Sequence, residues 1–185
     1  MQMERTIQKP AITVLDIRIM ITVGICFITA NLLGSLGFRF TWDGMQLEII
    51  QRMTACIACL LCCQDTAKIS RTTGINRLII TAIGGAIGIL VVLADSAAGS
   101  PWLLTAMICS GVLLTILLCK AAGVPYMNAR IGAVTFVLVA CTLSGPARIF
   151  YAVFRWISTV YGVLVVLAVS MVFERVRRAG RAELL

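Results

Sequence analysis

Long apolar runs, each close to the length of a bilayer crossing, constrain this chain more than any other feature. The run from Pro101 to Cys119 has no charged residue and would extend about 28 Å as a helix, against a hydrocarbon core of about 30 Å. Hydrophobic residues make up 60% of the 185-residue chain and charged residues 13%, well below the charged fraction of a typical soluble domain. The sequence therefore predicts an all-α polytopic membrane protein.

Six apolar segments predict six transmembrane helices within residues 17–173. A cytoplasmic segment, 1–16, is expected before them and a basic cytoplasmic tail, 174–185, after them. With both termini inside, most lysines and arginines fall on the cytoplasmic side, which fits the positive-inside bias and predicts a multi-pass protein of the cell (inner or plasma) membrane. The spans are expected at about Ile17–Phe38, Met45–Cys63, Arg77–Ala94, Pro101–Cys119, a fifth ending near Leu143 and a sixth ending at Phe173.

Charge and residue inventory argue against several classes of function. The net charge is +8, but most basic residues flank the spans, so we expect no nucleic-acid partner. The chain has no histidine, no phosphate-binding loop and no nucleophile beside a base, so we predict neither catalysis nor a cofactor. The Cys56-x-x-Cys59-x-x-Cys62 spacing lies on one predicted span, where cysteine acts as a small apolar residue, and we predict no metal site.

The second predicted span carries polar residues at its start. Glu48, Gln51 and Arg52 are needed to make the span long enough, which puts them at membrane depth or in a wet cavity. Glu48 and Arg52 are four residues apart and are expected to pair. Because charged groups inside a membrane usually face a pathway or the interior of a bundle, all three are candidates for a substrate pathway, with a plain structural ion pair as the alternative.

The third predicted span follows a polar connector, 64–76, and begins at Arg77. Arg77, Thr81, Gly84 and Gly88 share one stripe of that helix, so a charge and a hydroxyl precede residues that allow close helix packing. We therefore predict Gly84, Gly85 and Gly88 as helix-packing residues. Arg77 is equally compatible with a packing role and with binding an anion.

The sixth predicted span repeats the pattern of the third. Arg155, Thr159 and Gly162 have the spacing of Arg77, Thr81 and Gly84, but the two arginines begin their spans from opposite faces of the membrane. Three spans followed by three inverted spans is a common transporter plan, with the substrate site at the repeat interface. We predict 3+3 inverted repeats at about 17–94 and 101–173, with Gly162 as a further packing residue.

The stretch from Gln64 to Gly88 resembles the signature of the fusaric acid resistance and aromatic acid exporter superfamily. Arg18 is also where that family often has a basic residue, whereas Asp65 and Ile80 depart from its usual proline and glycine. The residues that carry the resemblance are Gln64, Thr66, Ser70, Gly74, Arg77, Thr81, Gly84, Gly85 and Gly88.

The resemblance implies efflux of aromatic carboxylates and, from related plant aluminium-activated malate transporters, six spans per subunit and a homodimer or higher homo-oligomer. The expected function is therefore export of aromatic or other small organic carboxylate anions across the lipid bilayer. The alternatives are an anion channel of the same fold and a membrane scaffold or accessory subunit that transports nothing. The predicted pathway residues are Arg52, Arg77, Arg155, Glu48, Gln51, Gln64, Thr81 and Thr159.

Overall fold

The computed structural model describes residues 12–42, 44–98, 101–142 and 147–182 and shows a helical bundle with one β-hairpin. Pro101 is the first residue of α4, as its fixed backbone angle favours, which confirms the predicted start of that span. The elements are α1 (Val14–Ser35), β1 (Arg39–Trp42), β2 (Met45–Glu48), α2 (Arg52–Cys62), α3 (Ala67–Ala98), α4 (Pro101–Ala121), α5 (Tyr126–Cys141) and α6 (Ala147–Ala182).

Four of these helices, α1, α3, α4 and α6, are long and apolar enough to cross a membrane. This confirms the prediction of a helical membrane protein. The other two, α2 and α5, are apolar but shorter, with 11 and 16 residues. At 1.5 Å per residue, α2 extends only about 16 Å, roughly half of a hydrocarbon core.

The hairpin corrects the prediction of a single second span from Met45 to Cys63 that follows a loop. Its strands are antiparallel, with Arg39 opposite Glu48, and Gly44 takes a positive φ of 77° in the turn. Phe40 packs against Phe150 and Phe154 of α6, with ring centroids 5.0 and 5.6 Å away. These aromatic contacts anchor β1, and its pairing with β2 keeps Met45–Glu48 extended where the sequence predicted helix.

One predicted helix start was wrong, and two other helices extend beyond the predicted spans. The helix α3 begins at Ala67, so most of the expected connector 64–76 is helical and Arg77 lies inside the helix instead of opening it. The helix α6 runs on to Ala182, so the expected tail from residue 174 is largely helical, and α1 begins at Val14, before residue 17. The sequence Ser144-Gly-Pro146 also predicts a break in the chain, which lies outside the described residues. For the residues that follow, the sequence leaves open a separate interfacial helix or the first part of the sixth span, and they form the first part of α6.

The bundle is centred on α3 and α6, which pack against each other. The short helix α2 packs on α6, and the short helix α5 packs on α3. A Cβ added at Gly84 would lie 2.5 Å from the carbonyl oxygen of Gly132 in α5, and one at Gly162 would lie 2.6 Å from that of Ala55 in α2. Glycine thus allows each long helix to approach the backbone of a short one.

The two ends of the bundle differ. At the hairpin end, the start of α2 meets the first part of α6, where the backbone N–H of Gln51 donates to Ser158 Oγ at 2.7 Å. At the opposite end, which we call the terminal end, α1 begins and α6 leaves the bundle. There the backbone N–H of Ala67 donates to Glu174 Oε1 at 2.8 Å, which ties the start of α3 to α6.

Candidate functional site

A cavity of about 940 Å³ lies between α1, α2 and α6, on the hairpin side of the bundle. One wall is apolar and comes from α1, with Met20, Val23 and Phe27. The other wall comes from the start of α2 and the first part of α6. Its polar residues are Glu48, Gln51, Arg52, Thr54, Tyr151 and Arg155.

Arg155 is the buried charge of this cavity, with only 7% of its surface exposed. Its Nη1 donates to Thr54 Oγ1 at 3.3 Å and to the Tyr151 hydroxyl at 3.4 Å. Its Nε is buried and has no hydrogen-bond partner among the described residues. Neutral hydroxyls therefore orient this guanidinium, and its positive charge remains free to attract an anion.

The start of α2 adds a second source of positive potential. Gln51 is its N-cap residue, and within the described part of the chain no side chain caps this helix. The first N–H groups of a helix carry a partial positive charge and suit an anion. Because residues 51–54 all line the cavity, this end of α2 and Arg155 contribute to the same space.

Glu48 and Arg52 form the predicted pair, although not on one helix as expected. Glu48 ends β2 and Arg52 begins α2, and Arg52 Nη2 lies 2.6 Å from Glu48 Oε1. Arg52 Nη1 also donates to Asn31 Oδ1 of α1 at 2.9 Å. The two charges offset each other, so Arg155 sets the net charge of the cavity.

Arg77 occupies a different place. It is also buried, at 6% exposure, and lines a cavity of about 60 Å³ with Cys62 of α2 and with Asn128 and Ile131 of α5. Its Nε and Nη1 have no hydrogen-bond partner among the described residues. Arg77 and Arg155 therefore line separate cavities.

The two arginine environments correspond to one another. Arg155 donates to Thr54, the third residue of the short helix α2, and Arg77 shares its cavity with Asn128, the third residue of the short helix α5. Like α2, α5 has no side-chain cap within the described residues. Each buried arginine therefore lies beside the uncapped start of a short helix.

The other predicted pathway residues lie away from the large cavity. Thr81 and Thr159 are buried in their helices, and Thr159 Oγ1 donates to the Arg155 carbonyl at 2.9 Å. Gln64 lies at the turn between α2 and α3, where its backbone N–H donates to Ser70 Oγ at 3.0 Å. Gly85 also differs from the other predicted packing glycines, because a Cβ there would have no neighbour within 4 Å.

Three residues beside the two arginines were not predicted from the sequence: Tyr151, Thr54 and Asn128. Tyr151 precedes Arg155 by four residues, a spacing that places both side chains on one helix face and could have identified it. Thr54 and Asn128 show no such signal, because they meet the arginines only through the packing of distant helices. Tertiary structure was needed to find them.

The eight cysteines are unpaired, and half of them lie on or directly after α2, at Cys56, Cys59, Cys62 and Cys63. Cys59 is fully buried, and its thiol donates to the Gly162 carbonyl at 3.3 Å, while Cys56 is half-buried and lines the large cavity. In the described ranges no three His, Cys, Asp or Glu side chains are grouped so as to hold a metal ion.

Comparison with known proteins gave no match: no family model, no curated protein and no solved structure matches this chain. The chemical character of the site follows from its own geometry. That geometry combines a large cavity, an apolar wall, one net positive charge and an uncapped helix start.

Proposed function

We propose that this protein is a membrane transporter that exports small organic anions, with aromatic or other small carboxylates as its substrates. One observation carries the proposal: the buried Arg155, with a free Nε, lies on the wall of a 940 Å³ cavity beside the uncapped start of α2. A charged side chain inside a membrane costs about 3 kcal/mol on insertion scales, and such residues typically mark a substrate pathway.

The composition of the cavity supports an organic anion. Arg155 and the first N–H groups of α2 suit a carboxylate, which can accept two hydrogen bonds from a guanidinium. The apolar wall of Met20, Val23 and Phe27 suits a hydrocarbon or aromatic body. A simple inorganic anion would make no use of that wall.

The order and packing of the helices support 3+3 inverted repeats of six membrane helices. Helices α1, α2 and α3 have 22, 11 and 32 residues, and α4, α5 and α6 have 21, 16 and 36. In each half, a long helix is therefore followed by a short helix and then by the longest one. The packing of α2 on α6 corresponds to that of α5 on α3. Gly162 and Gly84, which are equivalent in the repeated motif, occupy these two contacts.

In this arrangement Arg155 and Arg77 belong to two half-sites that approach from opposite faces of the membrane. Half-helices whose N-termini point toward an anionic substrate are a recurrent device of transporters with inverted repeats. The proposal places the terminal end of the bundle and both chain termini in the cytoplasm, because basic residues are concentrated there. It also includes a homodimer and membership of the fusaric acid resistance and aromatic acid exporter superfamily.

The test is uptake of radiolabelled benzoate into proteoliposomes that contain the purified protein. Arg155→Gln should lower the initial rate at least about tenfold, because removing one well-placed charged hydrogen bond costs about 1.5–3 kcal/mol. The matched control is Arg39→Gln, which removes an exposed arginine at the same end of the bundle and should leave the rate within twofold. Arg77→Gln should also slow uptake if the two half-sites act on one substrate.

Three outcomes would change the conclusion. Unchanged uptake in a folded Arg155→Gln protein would remove the anion pathway. Discrete single-channel currents in planar bilayers would identify a channel instead of a carrier. Absence of uptake for a panel of aromatic and aliphatic carboxylates by the wild-type protein would favour a scaffold or accessory subunit.

A further inference from the structure

A second polar cavity, of about 480 Å³, lies at the terminal end of the bundle and has no part in the proposed anion pathway. It is formed by the start of α1, the turn after α2 and the end of α6. Arg18 lies on its wall with 5% of its surface exposed. The apolar part of the lining comes from Val14, Leu15, Phe173 and Val176.

Arg18 presents an unused edge of its guanidinium group. Its Nη1 donates to the backbone carbonyl of Asp65 at 3.2 Å. Its Nε and Nη2 are buried and have no hydrogen-bond partner among the described residues. These two nitrogens lie on one side of the planar group and form the fork that binds two oxygens of a phosphate or carboxylate. The free fork therefore indicates a missing anionic partner.

The acidic residues of the cavity do not fill this fork. Glu174 Oε1 accepts the backbone N–H of Ala67 at 2.8 Å and so stabilises the start of α3. Asp65 contributes its backbone carbonyl to Arg18, while the Arg18 Nε and Nη2 remain without an acceptor. Arg177 also lines the cavity and brings a second positive charge to its rim.

The position of the cavity matches that of a lipid headgroup. Arg18 lies about 6 Å along α1 from the first residue of that helix, and helical side chains lean toward the N-terminus, which is toward the end of the span. Val14 and Val176, 76% and 67% exposed, provide an apolar rim where an acyl chain would lie. Basic pockets between membrane helices are known to bind anionic headgroups.

We propose that this cavity binds the phosphate group of an anionic phospholipid, with Arg18 as the bidentate ligand and Arg177 as a supporting charge. The acyl chains lie against the exposed apolar residues at the start of α1 and the end of α6. This site is separate from the cavity that holds Arg155 and does not depend on transport.

The experiment titrates detergent-solubilised full-length protein with dioctanoyl phosphatidylglycerol and, in parallel, dioctanoyl phosphatidylcholine. The readouts are lipid retention by native mass spectrometry and the thermal unfolding midpoint, which a ligand of the folded state raises. The anionic lipid should bind at least about tenfold more tightly than the zwitterionic one, since a bidentate charged contact contributes more than about 1.4 kcal/mol. Arg18→Gln should remove this preference.

Matched variants separate the lipid site from general charge effects. Arg71→Gln removes an exposed arginine near the start of α3, at the same end of the bundle, and should keep the preference within twofold. Arg18→Lys retains the charge but loses the planar fork, so binding should weaken about threefold or more. Asp65→Asn should strengthen lipid binding, because it removes a negative charge from the cavity.

Two results would overturn the proposal, even if Arg18→Gln failed to fold. If inorganic phosphate at the same concentration raised the midpoint as much as phosphatidylglycerol does, the cavity would bind free anions and not lipid. If Asp65→Asn weakened lipid binding and lowered the midpoint of the lipid-free protein, Asp65 itself would be the partner of Arg18.

Discussion

Replacing Gly84 by alanine should leave the bundle less stable than the same replacement at Gly85. The new Cβ at Gly84 would lie 2.5 Å from the Gly132 carbonyl oxygen and 3.2 Å from the Phe136 backbone nitrogen. Both are backbone atoms, so the clash cannot be relieved by rotating a side chain, and α3 and α5 must move apart. At Gly85, the adjacent residue, a Cβ would meet no atom within 4 Å.

The size of the effect follows from two opposing terms. Overpacking in a close helix contact costs about 1–3 kcal/mol. Replacing glycine by alanine within a helix contributes about 1 kcal/mol in the favourable direction, and this term is shared by both positions. Gly84→Ala should therefore range from neutral to about 2 kcal/mol less stable, and Gly85→Ala should gain up to about 1 kcal/mol. The difference between the two variants should be about 1–3 kcal/mol.

The assay is reversible unfolding of the purified protein in mixed detergent micelles, with the thermal midpoint as a second readout. For a chain of this size, 1 kcal/mol corresponds to about 2–4 °C, so the two variants should differ by several degrees. Equal midpoints would show that α3 does not approach α5 as closely as described. Gly162→Ala, with a clash against Ala55 in the equivalent contact of α6 with α2, should repeat the Gly84 result.

Three further substitutions or modifications test other parts of the structure. Glu48→Gln should change the free energy of unfolding by less than about 1 kcal/mol, because its pair with Arg52 is partly exposed; a loss above about 2 kcal/mol in detergent unfolding would indicate a dry, buried pair. In single-cysteine variants, a water-soluble maleimide should label Cys56 on the cavity wall faster than the buried Cys59, and equal labelling would contradict the hydrated cavity. Glu174→Ala should lower the free energy of unfolding by about 1 kcal/mol in the same assay, because it removes the acceptor for the first N–H of α3. An unchanged free energy of unfolding would mean that the contact is not maintained in solution.

Apolar pattern and charge placement predicted much of the architecture from the sequence. The long uncharged run after Pro101 forms α4, and the helix begins where it was expected. Proline marks this start because its fixed backbone angle favours the first position of a helix. Arg155 could be selected as a buried charge because it stands inside an otherwise apolar segment. Such features depend only on residues that are close together in the chain, so they can be predicted without knowledge of the tertiary structure.

The misplaced elements depend on contacts between distant parts of the chain. Phe40 and Trp42 alternate with polar residues ahead of Asp43-Gly44, which is a hairpin pattern, but their partner Phe150 lies more than a hundred residues away. The polar stretch before Arg77 is helical partly because Glu174 of α6 binds its first N–H. The distinct cavities of Arg77 and Arg155 likewise depend on the packing of α5 and α2, which no local pattern specifies.

The hydrogen bond between Ala67 and Glu174 has a mechanical consequence, because it joins the last helix of the first half to the last helix of the second half. In the proposed transporter with inverted repeats, this tie would act as a pivot at the terminal end if the two halves rotated against each other. Arg155 lies about 28 Å along α6 from that pivot. A rotation of about 10° about that pivot would displace Arg155 by roughly 5 Å on this length, whereas Arg18, which lines a cavity together with Glu174, would move little. Such a rotation would therefore move the large cavity more than the proposed lipid cavity.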